Sequence, residues 1–153
     1  MSDDFHARVE DAALNASAPP QQLWLDGWFL RLCPGKAKRA RSVNAVATGR
    51  LPLEQKLARA EAVYREAGLP MVVRITPFTQ PAALDTVLHA RGWQRFDDTR
   101  VMVTTALPTE QHPLPPGTTL AAADAAAYAE AVGELRGSSA AQREGHAKRV
   151  ALS

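Results

Sequence analysis

The stretch RSVNAVATGRLPLEQKLARAEAVYREAGLPMVVRIT, residues 41–76, decides the fold. Apolar and polar side chains alternate over 41–48, which predicts a strand with one buried face. A helix begins after Pro52 and ends at Gly68, and its apolar residues recur every three or four positions. The apolar run 71–76 predicts a second strand. Two strands joined by one helix predict a parallel β-α-β unit. The apolar positions of the helix are Leu53, Leu57, Ala60, Tyr64 and Ala67.

Further elements precede and follow this unit. Apolar spacing predicts a helix over 3–15, and strict alternation predicts a strand over 28–33. That strand and 41–48 form a hairpin with a longer, basic loop, which begins with the turn residues Pro34 and Gly35. The fold class is therefore α/β or α+β, a mixed β-sheet with flanking helices. The downstream predictions are a helix from Pro81 to Gly92 and strands over 93–96 and 100–106.

The composition changes after residue 107. Four prolines fall in the stretch 107–119, which predicts a stiff, extended linker: Pro108, Pro113, Pro115 and Pro116. Twelve of the following residues are alanine, in two helical stretches over 122–136 and 139–151. These helices have little apolar bulk, so we expect them to dock on another surface or remain loosely ordered. The predicted organisation is a domain over 1–107, a Pro-rich linker over 108–119 and an Ala-rich helical segment over 120–153.

The composition is that of an ordinary globular chain. With 18 Lys+Arg against 16 Asp+Glu and 46% hydrophobic residues, it excludes a polyionic protein and wholesale disorder. One cysteine, Cys33, excludes an internal disulfide and a multi-cysteine metal site. A secretory signal and a membrane-spanning run of ~18 apolar residues are both lacking, so a cytoplasmic protein without a membrane partner is expected. No metal site is predicted, because the four histidines lack ligand spacing: His6, His89, His112 and His146.

Several runs of sequence carry a resemblance to a known family. They are DGWFLR (26–31), KRARSVN (38–44), AEAVYREAGLP (60–70), VVRIT followed by PAALDTVLHARGWQRF (72–96), and RVMVTTAL (100–107). Together they resemble the GNAT superfamily of N-acetyltransferases and, more specifically, the first half of two-part GNAT proteins. The resemblance implies a GNAT-like fold over 1–107. It also implies that 120–153 is the helical start of a second, incomplete GNAT-like domain.

The resemblance implies acetyl transfer from acetyl-CoA to an amine. GNAT enzymes hold the pyrophosphate of the cofactor on backbone amides of a glycine-rich loop at a helix start. The equivalent loop here, 47–52, reads ATGRLP and contains one glycine and a proline without an N–H. Many GNAT members carry an asparagine at the start of their last helix and, near its end, a tyrosine that acts as general acid. Here these two positions hold Pro81 and Leu88. We therefore expect this chain alone to bind acetyl-CoA poorly and to have little or no activity.

Two sets of residues are candidates for binding. The phosphate-loop pattern has one literal match at Gln142, Gly145 and Ala147, although no strand precedes it. In the two-part family this region resembles an early helix of the second half, well before the true cofactor loop. The other candidate is a substrate groove between the two halves. Its predicted residues are Arg39, Arg41, Ser42 and Asn44; no catalytic residue is assigned.

No acidic residue lies between Asp26 and Glu54, so the hairpin is locally positive. A solvated hairpin is the favoured interpretation over an anionic partner, and nucleic acid is disfavoured because no aromatic residue falls between Phe29 and Tyr64. The predicted function is a GNAT-type acetyltransferase acting on a small-molecule or peptide amine, with this chain as its cofactor-poor part. The alternative is a non-catalytic, degenerate GNAT module that binds substrate, stabilises a partner or forms a homodimer. The basic residues of the hairpin are Arg31, Lys36, Lys38, Arg39, Arg41 and Arg50.

Overall fold

The computed structural model of this chain describes residues 3–107, 109 and 113–152. The strands of this part are β1 (Gln21–Leu25), β2 (Trp28–Leu32), β3 (Val43–Ala45) and β4 (Val73–Arg74). The α-helices of the same part are α1 (Asp3–Asn15), α2 (Leu53–Glu66), α3 (Leu84–Ala90), α4 (Ala125–Leu135) and α5 (Ala140–Val150). The strands form one mixed sheet in the order β1-β2-β3-β4. β1, β2 and β3 are antiparallel neighbours, whereas β3 and β4 are parallel and joined through α2.

A two-residue turn joins β1 to β2. Asp26 and Gly27 both have positive φ angles, of 45° and 94°, as a tight hairpin turn requires. A Cβ at residue 27 would lie 2.3 Å from the carbonyl oxygen of Ala47, so only glycine fits at this contact. The turn is thereby packed against the segment that leads from β3 to α2.

One face of the sheet forms the hydrophobic core. Because side chains alternate along a strand, Trp28 and Leu30 of β2 lie on the same face as Val43 and Ala45 of β3. The helices α2 and α3 cover this face and exclude water from it. The buried residues of this core are Trp28, Leu30, Val43, Ala45, Leu57, Ala60, Tyr64, Leu84 and Leu88.

The opposite face of the sheet carries mostly polar side chains and lies against α1. In the strand register Phe29 is paired with Asn44, and Asn44 with Arg74, so these side chains share that face. α1 is held there by an ion pair between Glu10 and Arg74. The side chain of Arg31 adds a hydrogen bond to the carbonyl oxygen of Leu14 at 2.9 Å. A cation near the last turn of a helix also complements the helix dipole.

The helices α4 and α5 form a hairpin in which each start is capped. The Asp124 side chain accepts a hydrogen bond from the amide of Ala127, and Ser139 and Gln142 form a reciprocal capping box. At Gly133 the two helices come so close that a Cβ would lie 2.3 Å from the Arg143 side chain. The predicted helices 122–136 and 139–151 thus pack on each other.

The α4–α5 hairpin also docks on the turn that follows β2. A Cβ at Gly145 would meet Pro34 at 3.0 Å and the amide nitrogen of Gly35 at 3.3 Å, so α5 touches this turn closely. The buried Sγ of Cys33 lies 3.8 Å from the carbonyl oxygen of Gly145. The Nζ of Lys36 donates to the carbonyl oxygen of Arg136 at 2.6 Å. These contacts attach the alanine-rich helices, which have little apolar bulk of their own, to the rest of the fold.

The structure confirms the mixed α/β fold, the five predicted helices and the parallel β-α-β unit. It corrects three details. The strands predicted over 41–48 and 71–76 are paired only at Val43–Ala45 and Val73–Arg74. The helix predicted from Pro81 has its regular part at Leu84–Ala90. The edge strand β1 was not predicted at all, because its side chains are almost all exposed and show no burial pattern.

The two strands predicted over 93–96 and 100–106 are wrong: the described stretch 91–107 contains no strand. The reason is that a strand needs a hydrogen-bonding neighbour, and an apolar pattern supplies propensity only. Phe96 is 59% exposed and Met102 is 89% exposed, so the pattern of this segment does not correspond to burial.

Part of the predicted linker over 108–119 lies outside the described residues. Pro108 and His112 belong to that part. Residues 109 and 113–119 contain no helix or strand. The division of the chain at 107 and 120 stays a prediction. None of the helices in the described part is long and apolar enough to cross a membrane.

Candidate functional site

A cleft of about 170 Å³ opens on the polar face of the sheet, between α1 and the ends of β3 and β4. α1 contributes carboxylates and small apolar groups, and the strands contribute an amide, a guanidinium and hydroxyl groups. Such a concave site with a few convergent polar groups is the usual form of a small-molecule site. The lining residues are Ala7, Glu10, Asp11, Leu14, Asn44, Ala45, Val46, Arg74, Thr76, Phe78 and Thr79.

The ion pair of Glu10 and Arg74 forms one wall of the cleft. The two side chains meet through two hydrogen bonds, and the second joins Nη2 of Arg74 to Oε2 of Glu10 at 2.9 Å. Both side chains are largely buried, with 20% exposure for Arg74 and 15% for Glu10. A paired arrangement of this kind fixes the geometry of both groups.

Further guanidinium groups lie close to this pair. Burial lowers the pKa of Arg31, and the charges of Arg39 and Arg74 lower it further. Burial also lowers the pKa of Arg39, with a second contribution from the charge of Arg74. The three arginines therefore repel one another, and Glu10 is the carboxylate that opposes this repulsion in both cases.

The residues predicted for a substrate groove lie along this face. Asn44 lines the cleft, and Ser42 is buried beside it and accepts a hydrogen bond from Nδ2 of Asn44 on its carbonyl oxygen at 3.0 Å. Arg39 and Arg41 lie in and just after the short 3-10 turn before β3, and the buried Nε of each has no hydrogen-bond partner among the described residues. Their role in substrate binding stays a prediction. Glu10 and Arg74 were not predicted, because 64 residues separate them in the sequence.

The Oδ1 of Asn44 is a buried acceptor that has no hydrogen-bond partner in the described part of the chain. Its orientation follows from the other side of the amide, where Nδ2 donates to the carbonyl oxygen of Ser42. Turning the amide around would bring two acceptor oxygens together, so the assignment is fixed by the hydrogen bonding.

The loop 47–52, which precedes α2, binds the side-chain carboxylate of Asp26. Oδ1 of Asp26 accepts the amide of Arg50 at 2.9 Å, and Oδ2 accepts the amide of Leu51 at 2.8 Å. The buried ammonium of Lys56 lies 3.4 Å from Oδ2 and donates to the Asp26 carbonyl oxygen at 2.8 Å. The backbone amides of Arg50 and Leu51, followed by Lys56, lower the pKa of Asp26. The carboxylate is thus firmly held in its ionised form.

Asp26 also determines the shape of that loop. Gly49 has a φ of +50°, and a Cβ there would lie 2.0 Å from the carbonyl oxygen of Asp26. Pro52, the residue before α2, has no amide hydrogen to donate. The amides of Arg50 and Leu51, in the loop before the helix, are already bonded to the Asp26 carboxylate. The loop 47–52 therefore does not fit a pyrophosphate group, because a second anion would face the Asp26 carboxylate at close range.

The two further positions at which the GNAT resemblance implies cofactor residues hold apolar side chains. Leu88 is buried in the hydrophobic core, and Pro81 precedes α3. Tyr64 is buried in the same core, where its hydroxyl donates to the carbonyl oxygen of Arg31 at 3.0 Å. Burial raises the pKa of Tyr64 to about 12. Tyr64 is therefore a packing residue, in agreement with its place on the apolar stripe of the helix.

The literal phosphate-loop match lies within a helix. Gln142, Gly145 and Ala147 all belong to α5, where Gln142 takes part in the capping box. Gly145 serves the close contact of α5 with the turn at Pro34 and Gly35. A role of these three residues in cofactor binding stays a prediction. No group of three or more potential metal ligands is found among the described residues.

Comparison with known proteins identifies a family. Residues 7–141 match the family described as "Probable histone acetyltransferase Rv0428c C-terminal". No curated protein and no solved structure matches the sequence. The matched region runs from α1 to the first turn of α5, and it includes the whole sheet and the cleft. The family is named after the C-terminal part of a protein described as a probable histone acetyltransferase. Since the match covers most of the chain, this protein belongs to the Rv0428c C-terminal family of probable histone acetyltransferases.

Proposed function

We propose that this chain is the cofactor-poor, substrate-binding part of a GNAT-type N-acetyltransferase. In this proposal the protein transfers an acetyl group to an amine, and the cleft under α1 receives that amine. The description of the matched family supports acetyl transfer in general. The mixed sheet with flanking helices agrees with the GNAT-like fold that the sequence resemblance implies.

One observation carries the proposal: the carboxylate of Asp26 occupies the amides of Arg50 and Leu51 in the loop before α2. In the GNAT arrangement these amides would receive the pyrophosphate of acetyl-CoA. A loop that already binds its own anion does not serve this purpose. The acetyl-CoA site is therefore assigned to residues outside the loop 47–52.

The cleft supplies the chemistry that an amine acceptor needs. The unpartnered Oδ1 of Asn44 accepts a hydrogen bond, and the carboxylates of Glu10 and Asp11 attract a positive charge. Since acetyl transfer requires the neutral amine, a general base must remove a proton before attack. No residue of the chain is assigned that role.

A second candidate is a non-catalytic, degenerate GNAT module. Exposed apolar side chains in the segment 91–107 favour it, because such a surface is typical of a contact with another protein part. In this case the cleft would bind a ligand without turnover, or the chain would stabilise a partner. Substrate kinetics distinguish the two candidates.

The experiment uses the protein in its natural full length and a panel of amines. Steady-state rates of acetyl transfer from acetyl-CoA are measured for the wild type and for Asn44→Ala, with Arg65→Met as a control on the exposed side of α2. The proposal predicts that Asn44→Ala raises KM for the amine several-fold and leaves KM for acetyl-CoA unchanged. Absence of acetyl transfer to every amine favours the non-catalytic module. A change of KM for acetyl-CoA alone contradicts the assignment of the cleft.

A further inference from the structure

The cleft under α1 contains an unsatisfied polar atom, and this atom is an acceptor. Among the described residues that line the cleft, only Asn44 has a buried side-chain polar atom without a hydrogen-bond partner, its Oδ1. The residue is 3% exposed. Because a buried acceptor without a partner costs free energy, a ligand that brings a donor to this position is favoured.

The two hydroxyl groups of the lining already accept hydrogen bonds within their own loop. Oγ1 of Thr79 accepts the amide of Thr76 at 2.8 Å, and Oγ1 of Thr76 accepts the amide of Phe78 at 3.2 Å. These hydroxyls therefore shape the loop that follows β4. The hydrogen bonding that the cleft offers to a ligand is concentrated at Asn44.

The charged groups of the lining leave one negative charge. Arg74 and Glu10 are bonded to each other through two hydrogen bonds, so their charges offset each other. Asp11 is exposed, and its carboxylate has no ion pair or hydrogen bond in the described part of the chain. The lining therefore attracts a cation, and among the described residues it offers no unpaired cation to a carboxylate.

The neighbouring arginines do not line the cleft. Arg31 donates to the carbonyl oxygen of Leu14 at 2.9 Å, and neither Arg31 nor Arg39 belongs to the lining. Their positive charges oppose the entry of a cation from outside the lining. A comparison of a charged amine with a neutral alcohol therefore tests which charges dominate inside the cleft.

The rest of the lining is mainly apolar. Ala7 and Leu14 lie on α1 one turn before and one turn after the two carboxylates, so they share one face of the helix with them. Val46 and Phe78 line the cleft from the side of the sheet. A second charged group buried against these side chains would lack a partner, which is costly. The volume of about 170 Å³ suits a ligand smaller than those of drug-sized pockets, which measure about 300–1,000 Å³.

From these observations we infer that the cleft binds a primary alkylammonium group on a short apolar stem that carries no second charge. The ammonium donates to Oδ1 of Asn44, the carboxylate of Asp11 attracts its charge, and the stem packs against the apolar lining. A free small amine and the side chain of a lysine both carry this group, and the experiment below distinguishes the two sources. Identification of the ligand as the acetyl acceptor rests on the proposed function, whereas its binding does not.

The test is isothermal titration calorimetry of the chain near pH 7 with isoamylamine and three matched compounds. The alcohol 3-methylbutan-1-ol keeps the stem and lacks the charge, L-leucine adds a carboxylate, and 1,4-diaminobutane adds a second ammonium. The inference predicts that isoamylamine binds at least ten-fold more tightly than each of them. Equal or tighter binding of any of the three overturns it. No binding of isoamylamine at millimolar concentration overturns it as well.

A fourth compound distinguishes the two sources of the alkylammonium group. Nα-acetyl-L-lysine methylamide presents a lysine side chain between two neutral amide groups. Binding at least as tight as that of isoamylamine supports the inference and assigns the group to a lysine side chain. Weaker binding than that of isoamylamine supports the inference and assigns the group to a free amine.

Two variants locate the binding groups. Asp11→Asn keeps the size of the side chain and removes its charge, so it is expected to weaken isoamylamine at least five-fold and to leave the alcohol unchanged. Asn44→Ala is expected to weaken isoamylamine by a similar factor. Glu61→Gln, at an exposed position of α2, is the matched control and should bind isoamylamine like the wild type.

The outcomes remain separable from those of the proposed function. All titrations are performed without acetyl-CoA, so they do not depend on transfer. If Asn44→Ala fails to fold, Asp11→Asn still decides, because this exposed carboxylate has no bond to a described residue to lose. Unchanged binding of isoamylamine in Asp11→Asn contradicts the inference. Binding of isoamylamine without its acetylation by the full-length protein contradicts the proposed function alone.

Discussion

Asp26 combines three roles in one side chain. It forms the tight turn between β1 and β2, bonds the amides of Arg50 and Leu51, and pairs with the buried ammonium of Lys56. Lys56 in turn lies 5.0 Å from the centre of the Trp28 ring, which links the polar network to the core. A single carboxylate thus connects the hairpin, the loop before α2 and, through Lys56, the hydrophobic core.

The pH dependence of stability tests the ionised state of Asp26. Asparagine tolerates a positive φ and keeps one acceptor oxygen, so Asp26→Asn removes mainly the charge. The folded-state pKa of Asp26 lies below the ordinary value of 3.8. The stabilisation is therefore fully present above pH 3.8 and is lost as the pH falls through the lower folded value. Urea unfolding at pH 2–7 should show a less stable variant near pH 7 and a difference that shrinks as the pH falls below 3.8. A difference that is independent of pH contradicts this role.

Tyr64 offers a second test at the residue scale. Tyr64→Phe removes the buried hydrogen bond to the carbonyl oxygen of Arg31 and keeps the ring. The expected loss in the free energy of unfolding is about 1 kcal/mol, measured by urea denaturation. Tyr128→Phe is the control, because Tyr128 is largely exposed, and its change should stay within about 0.5 kcal/mol. Equal losses in both variants would show that the Tyr64 hydroxyl contributes nothing specific.

At the scale of elements, the α4–α5 hairpin depends on close contacts of small residues. Gly145 brings α5 against Pro34 and Gly35, and the buried thiol of Cys33 lies beneath this contact. A side chain at residue 145 would push the helix away from the turn. The reactivity of the one cysteine therefore reports on docking of the hairpin.

Thiol labelling measures this docking directly. Gly145→Leu is expected to increase the rate at which Cys33 reacts with a disulfide reagent by at least ten-fold, because the helix no longer shields the sulfur. Ala141→Leu is the matched control on the exposed side of α5 and should label as slowly as the wild type. Rapid labelling of the wild type would mean that α5 does not cover Cys33 in solution.

The elements that the sequence predicts well are those with strong periodicity. α2 and the parallel strands follow from apolar spacing in 41–76, because burial on one side requires that spacing. The strand β1 has mostly exposed side chains, so its only signal was the Asp-Gly turn at 26–27. The predicted strands in 93–106 failed because pairing depends on a neighbour that the local sequence does not specify.

The site was predictable only in part for the same reason. Asn44 and Arg39 were candidates because they belong to one short run, KRARSVN. The pairs Glu10–Arg74 and Asp26–Arg50 join residues that are far apart in the sequence. Such long-range pairs follow from the topology of the sheet and the packing of α1, which no local pattern contains.

At the scale of the whole molecule, the two faces of the sheet differ in the side chains that they carry. The face under α2 and α3 provides the buried core. The face under α1 provides the mixed-charge cleft and its neighbouring arginines. The α4–α5 hairpin docks beside them on the turn after β2. The hydrophobic core and the proposed amine-binding cleft thus lie on opposite sides of one small sheet.

This chain belongs to a family described as a probable histone acetyltransferase, yet its loop 47–52 does not fit a pyrophosphate group. The direct test is a thermal-shift titration of the chain with acetyl-CoA at increasing concentration. A ligand at a hundred times its Kd stabilises the folded state by about 2.7 kcal/mol. Our account predicts no saturable stabilisation of the wild type. A saturable stabilisation of more than about 2 kcal/mol under these conditions would contradict it.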